Sequence, residues 1–101
     1  MKKFATAMLL SLAAASSVYA ETLKGGYSAC LSEDLFDQFI SAAVKKDERA
    51  LQYLLKNGCI VTKAGIQVSV LDRTWTGKAK VRAYVGDSAV ILWTNTENIQ
   101  R

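Results

Sequence analysis

Two cysteines, Cys30 and Cys59, constrain the fold of this chain more than any of its other residues do. The stretch between them has the spacing of helices, and the stretch after them has the alternation of strands. A bond between the two thiols would fasten both ends of a helical unit to the edge of a β unit. We predict this disulfide, because closing such a loop stabilises a small domain by about 3 to 4 kcal/mol.

The predicted disulfide depends on export, since cytosolic thiols stay reduced. Met1–Lys3 is cationic, Phe4–Ala15 is apolar, and small residues stand at the two positions that a signal peptidase reads, Val18 and Ala20. This is the pattern of a secretory signal peptide cleaved after Ala20. A membrane anchor would need about 20 consecutive apolar residues. We therefore predict a periplasmic or secreted product, residues 21–101, with no membrane span.

The composition removes most catalytic chemistry. The 101-residue chain has no histidine, which is the usual general base, nucleophile partner and metal ligand. Its one carboxylate cluster, Glu33, Asp34 and Asp37, is explained by the dipole of a first helical turn. A redox-active cysteine pair usually has Cys-x-x-Cys spacing, and a metal site would need more soft ligands. We predict no catalytic residue, no metal ligand and no cofactor, and expect that the protein is not an enzyme.

The charge of the predicted product is low. Removing Lys2 and Lys3 leaves eleven basic and nine acidic side chains, a net charge of +2. The excess lies in the second half, where Cys59–Arg101 carries a net charge of +3. This suits a modest preference for anionic surfaces and falls well short of a nucleic-acid binder, so we expect no nucleic-acid partner.

Two helices are predicted between the cysteines. Ser32 and Asp47 are candidate N-caps followed by acidic residues, and Gly58 or Asn57 would take the left-handed conformation after the second helix. One bent helix is the alternative. Apolar residues at helical spacing are expected on the buried faces, namely Leu35, Phe36, Phe39, Ile40, Ala43 and Val44, then Ala50, Leu51, Leu54 and Leu55.

Strands are predicted from Cys59 onward, after an irregular lead-in at Thr22–Ala29. The apolar pattern places them at 59–62, 66–70, 78–85 and 89–93, with a loop at Asp72–Gly77 and a tight hairpin at Gly86-Asp87.

Two further patterns concern the end of the chain. Ala89–Trp93 is apolar at every position, so we expect it in the middle of the sheet, covered on both faces, with the helices against its outer face. In the strand before it, Ala79, Val81, Ala83 and Val85 are expected on the buried side. Thr94 and Glu97 have the spacing of a capping box for a final helical turn.

Six segments of the second half carry a likeness to a known family: Gly58–Val61, Gly65–Leu71, Gly77–Arg82, the hairpin at Gly86, Val90–Thr94 and Glu97–Ile99. Over these positions the chain resembles the bacterial SH3-like barrels. The resemblance implies a small five-stranded barrel and a binding role toward cell-wall glycans, peptides or other envelope proteins. The aromatic pattern near the domain end is thinner than is usual in that family.

Together these patterns predict an α+β fold. We expect an N-terminal helical hairpin packed on a small antiparallel SH3-like barrel or sheet, with one disulfide. Residues 21–101 would form a single domain, with the helical unit at 32–58 and the β unit at 59–101.

Five residues are candidates for ligand binding. Lys78, Lys80 and Arg82 alternate on one face of one predicted strand and could contact an anionic polymer, although a solvated strand face has the same pattern. Trp75, in a loop, could join Tyr84 as a stacking platform for sugars or a proline-rich peptide. The alternative is that Trp75 folds back over the open end of the barrel.

The sequence thus predicts a small exported, non-enzymatic binding protein whose partner is an envelope protein or a cell-wall polymer. An inhibitor or immunity protein against an exported enzyme or toxin is the alternative, since a rigid stapled surface loses little entropy on binding. A structural subunit of an envelope assembly is a third hypothesis.

Overall fold

The computed structural model describes residues 21–101, and the predicted signal peptide at 1–20 lies outside the described residues. Two helices and a seven-stranded antiparallel sheet confirm the α+β class. The elements in chain order are β1 (Glu21–Leu23), β2 (Ser28–Cys30), α1 (Glu33–Val44), α2 (Glu48–Lys56), β3 (Cys59–Val61), β4 (Gln67–Arg73), β5 (Lys78–Val85), β6 (Ser88–Asn95), a 3₁₀ turn (Thr96–Asn98) and β7 (Ile99–Gln100).

Both predicted N-caps are confirmed. The side chain of Ser32 accepts a hydrogen bond from the backbone N–H of Leu35, and that of Asp47 accepts one from Ala50, each at 3.1 Å. Between the helices Lys46 takes a left-handed conformation, φ 57°. The alternative of one bent helix is therefore wrong.

The buried faces of the helices are narrower than predicted. Phe36 of α1 and Leu54 of α2 are buried, but Val44 is 76% exposed and Leu55 is 40% exposed. Ala42, and not Ala43, is the second buried residue of α1. The sheet lies against only part of each helix, so the ends of the apolar stripes face solvent.

The sheet also includes residues from before the helices. Its strand order is β3-β2-β6-β5-β4-β1-β7. The expected irregular lead-in is therefore wrong in part, because β1 pairs with β4 and β7, while β2 pairs with β3 and β6. Strands this short carry too little periodicity to be recognised. The loop after β4 is also shorter than predicted, since β4 continues through a bulge to Arg73.

The sheet curls around its core. In a flat sheet β1 and β2, four strands apart, would be about 19 Å from each other, whereas the five chain steps from Leu23 to Ser28 span at most about 18 Å. Side chains from both ends of the sheet also share one buried cluster. Its members are Leu23, Ala29, Val68, Ala79, Val81, Ala83 and Leu92.

The disulfide fastens the helices to this sheet. Cys30 on β2 and Cys59 on β3 are directly opposite each other and bonded, as predicted. Both are buried in a second cluster with Phe36 and Leu54. Because both helices lie between the two cysteines, the bond closes the helical unit at its base.

Strand β6 differs from its prediction. It is an interior strand between β2 and β5. Its first half is nevertheless open, since Val90 and Ile91 are 36% and 39% exposed, and burial begins at Leu92. Val85 at the end of β5 is exposed as well. The helices contact β6 near Trp93, which packs against the disulfide cluster, and they leave the rest uncovered.

A buried polar cluster lies around Asn98, near the end of the chain. The side-chain nitrogen of Asn98 donates to the hydroxyls of Thr62 and Thr94, each at 3.1 Å, and its oxygen accepts from the backbone N–H of Gly25. Thr94 in turn donates to Ser28, so the capping box predicted for it is wrong. Every buried side-chain polar atom in residues 21–101 has a partner.

Neither α1 nor α2 is long and apolar enough to cross a membrane, and these are the two α-helices within 21–101.

Candidate functional site

The predicted basic residues lie on one face of β5. Lys78, Lys80, Arg82 and Tyr84 alternate along the strand with buried Ala79, Val81 and Ala83, as expected. Val85, expected on the buried side, is instead exposed at the strand end.

Lys78 is engaged in an ion pair with α1. Its Nζ donates to Oε2 of Glu33 at 2.7 Å and to Oδ1 of Asp37 at 3.0 Å. The hydrogen bond to Glu33, followed by that to Asp37, raises the pKa of Lys78 above 10.5. Glu33 and Asp37 therefore contribute to the packing of α1 on the sheet, and the charge of Lys78 is largely engaged by them.

Lys80 and Arg82 are the basic residues of this face that remain available to bind a ligand. Within residues 21–101 neither has an ion-pair partner. Register places Lys80 opposite Trp93 and Arg82 opposite Ile91 on β6. The face therefore presents two cations beside apolar side chains.

Trp75 and Tyr84 do not form one platform. Trp75 occupies the turn between β4 and β5, whereas Tyr84 lies near the far end of β5 and its hydroxyl shares a hydrogen bond with Ser69. Tyr84 lies six positions along the strand from Lys78, which is about 20 Å. Trp75 is 96% exposed, so it does not cover an end of the sheet.

An apolar cleft opens on the other face of the sheet, at the mouth of the curled core. We call it the β3–β6 cleft. Its two lobes, about 300 Å³ and about 280 Å³, share Ile60, Val90 and Leu92. The first lobe is also lined by Leu23, Val61, Thr62, Lys63, Ile66, Ala83 and Val85, and the second by Leu31, Leu55, Gly58 and Cys59.

Large aliphatic side chains form the rim of this cleft. Ile60 is 50% exposed, Leu31 57% and Val61 56%. Lys63 is the one charged residue among those that line the two lobes. Contiguous apolar surface of this kind marks binding sites on proteins more often than isolated exposed residues do.

The sequence pattern did not reveal this cleft. Ile60, Val85 and Val90 all have the signature of core strands, and the structure leaves them exposed at an opening, since β2 ends at Cys30 and no strand within residues 21–101 covers that side of the first half of β6. The uninterrupted apolar run of β6 was the available signal, since two-sided apolar character fits an interface as well as a core.

The carboxylates and cysteines form no metal site in the described part of the chain, where no group of three or more such side chains is placed to share an ion. Comparison with known proteins finds no family model, no curated protein and no solved structure that matches the chain.

Proposed function

We propose that this chain is a small exported binding protein without enzymatic activity, and that the β3–β6 cleft receives part of an envelope protein. The observation that carries the proposal is the cleft itself, which leaves Ile60, Val61 and Leu31 at least half exposed. Burying such side chains on a partner contributes about 25 cal/mol for each Å² removed from water.

A protein fits the cleft better than a cell-wall polymer does. The lining is aliphatic and has one charge, at Lys63, whereas a glycan needs a row of polar partners. Lys80 and Arg82 suit an anionic polymer better, but they lie on the opposite face, since Val90 and Leu92 share a face with their cross-strand partners Ala83 and Val81.

The proposal includes an SH3-like fold for the sheet. Consecutive antiparallel pairing of β4, β5 and β6 and the curl of the sheet around one core support it. The proposal also includes export, which is supported by the signal-peptide pattern and by the bonded cysteines, since these suit an oxidising compartment.

The test compares Ile60→Lys with Val44→Lys as baits for envelope extract. Ile60 belongs to both lobes of the cleft and lies on an edge strand, where lysine is tolerated. Val44 is also an aliphatic, exposed residue; it lies at the end of α1 and does not line the cleft. We expect the unmodified chain to retain a defined protein at least about tenfold better than Ile60→Lys does.

The Val44→Lys bait should retain that protein like the unmodified chain. Equal retention by all three baits, or retention of no protein by the unmodified chain, would contradict the proposed site. Direct mass measurement of the exported product tests export separately, since cleavage should leave Glu21 as its first residue.

An inhibitor or immunity protein is the second candidate, and Trp75 favours it. A side chain that is 96% exposed at a hairpin turn can enter the cleft of an enzyme or toxin. Trp75→Ala should then weaken inhibition of the target at least about tenfold while changing the free energy of unfolding by less than about 0.5 kcal/mol. Unchanged inhibition would contradict this role for Trp75.

A further inference from the structure

The first half of β6 has an open edge beside the cleft. On the β2 side its pairing consists of Ala29 with Thr94 and Cys30 with Trp93. After Cys30 the chain leaves the sheet for α1. Within residues 21–101 no strand pairs with Ser88–Leu92 on that side.

The backbone groups that face this edge follow from the β5–β6 ladder. The N–H of Thr96 donates to the carbonyl of Gly77, which continues that ladder at its register. Residues of an antiparallel strand alternate between the two neighbours, so Val90 bonds to β5. Ala89 and Ile91 direct their N–H and C=O groups toward the open edge.

The open edge and the cleft form one surface. Val90 and Leu92 line both lobes, with Ile60 across from them. An added strand could therefore bond to Ala89 and Ile91 while every second side chain entered the cleft. A carboxylate on that strand would complement Lys63, the one charge in the lining.

We propose that the β6 edge binds an extended segment of a partner protein as an antiparallel eighth strand, with apolar side chains at alternate positions and one carboxylate directed at Lys63. This inference rests on the proposed function and specifies how the cleft would be filled. The antiparallel direction is chosen because every paired strand in residues 21–101 is antiparallel.

The probe is the acetylated peptide Thr-Val-Thr-Val-Thr-Glu, whose glutamate shares a face with the valines, added at millimolar concentration to the isotope-labelled chain. Hydrogen exchange of individual amides is followed by NMR. We expect the amides of Ala89 and Ile91 to exchange about tenfold more slowly with the peptide, and that of Val90 to change little because it is already bonded to β5.

Two methylated peptides test the geometry. With valines in the cleft, the threonine N–H groups face β6 and the valine N–H groups face away. Methylation of the threonine nitrogens should abolish the slowing, whereas methylation of the valine nitrogens should preserve it. Equal behaviour of the two peptides, or no slowing by the unmodified peptide, overturns strand addition.

Two variants of the chain separate this inference from the proposed function. Ile91→Pro removes the N–H at the open edge and leaves the β5 ladder intact, while Ile91→Thr keeps the N–H and removes apolar surface. The proline variant should lose peptide binding and the threonine variant should retain it. If Ile60→Lys loses the envelope protein but Ile91→Pro retains it, the cleft binds its partner without strand addition.

A second copy of this chain is the rival occupant. Sedimentation at the concentration used for NMR should show a monomer. A dimer whose Ala89 and Ile91 amides are already protected without peptide overturns the proposal in favour of self-association.

Discussion

The ammonium of Lys78 on β5 lies 2.7 Å from a carboxylate oxygen of Glu33 on α1, although the two residues are 45 positions apart. Asp37, one turn further along α1, approaches the same ammonium at 3.0 Å. This contact joins the first turns of α1 to the start of β5. Lys78, which the sequence pattern places in a candidate ligand-binding row, therefore has a structural role.

Loss of the ion pair between Lys78 and α1 should make the free energy of unfolding depend less on pH in the alkaline range. The pKa of Lys78 is raised above 10.5 in the folded chain, so its stabilising contribution is complete below 10.5 and is lost as the pH rises through the raised pKa. Lys78→Met should unfold at lower urea than the unmodified chain at neutral pH, and the gap should narrow above pH 10.5. Lys80→Met is the control, because Lys80 has no ion-pair partner within residues 21–101, and it should unfold at nearly the same urea concentration as the unmodified chain at neutral pH. A gap that is constant with pH would contradict the prediction.

Asn98 should be intolerant of a carboxylate. Its nitrogen donates to Thr62 and Thr94, whose hydroxyl hydrogens are committed to Tyr27 and Ser28. Asn98→Asp would therefore place a buried carboxylate against two lone pairs, and should lower the free energy of unfolding by about 3 kcal/mol.

Urea denaturation measures this loss. Asn95→Asp is the matched control, because Asn95 is less buried and its side chain does not cap the following turn. That change should stay within about 0.5 kcal/mol. Similar losses at both positions would indicate that the buried cluster has no special role.

Gly25 and Gly26 should respond differently to alanine. Both have positive φ, 87° and 83°, so each alanine carries a backbone penalty of about 1 kcal/mol. A Cβ at Gly25 would also lie 2.5 Å from the backbone nitrogen of Ala64, whereas one at Gly26 would meet nothing within 4 Å. Gly25→Ala should be less stable than Gly26→Ala by at least about 2 kcal/mol in denaturant titrations, and equal stabilities would contradict this close approach.

The disulfide should supply a large part of the stability. Replacing Cys30 and Cys59 together by alanine opens a loop that contains both helices. We expect a loss of about 3 to 4 kcal/mol in thermal or urea unfolding. A loss below about 1 kcal/mol would show that packing alone holds the helices on the sheet.

The helices and the long strands could be predicted because their signals are local. Ser32 and Asp47 cap through hydrogen bonds to backbone three residues ahead, and β5 has the bounds that its alternation predicts. β1 and β2 could not be recognised, since each has three residues and is held by partners far along the chain. The open half of β6 and the role of Lys78 depend in the same way on distant neighbours.

By itself the sequence determined the α+β class, the pairing of Cys30 with Cys59 and the caps of both helices, because spacing and short-range hydrogen bonds suffice for these. Only the tertiary structure decided which apolar residues stay exposed at the β3–β6 cleft and which lysine of β5 forms an ion pair with α1. Burial depends on how the sheet curls and on where β2 ends beside β6, and contacts between residues distant in the chain set both.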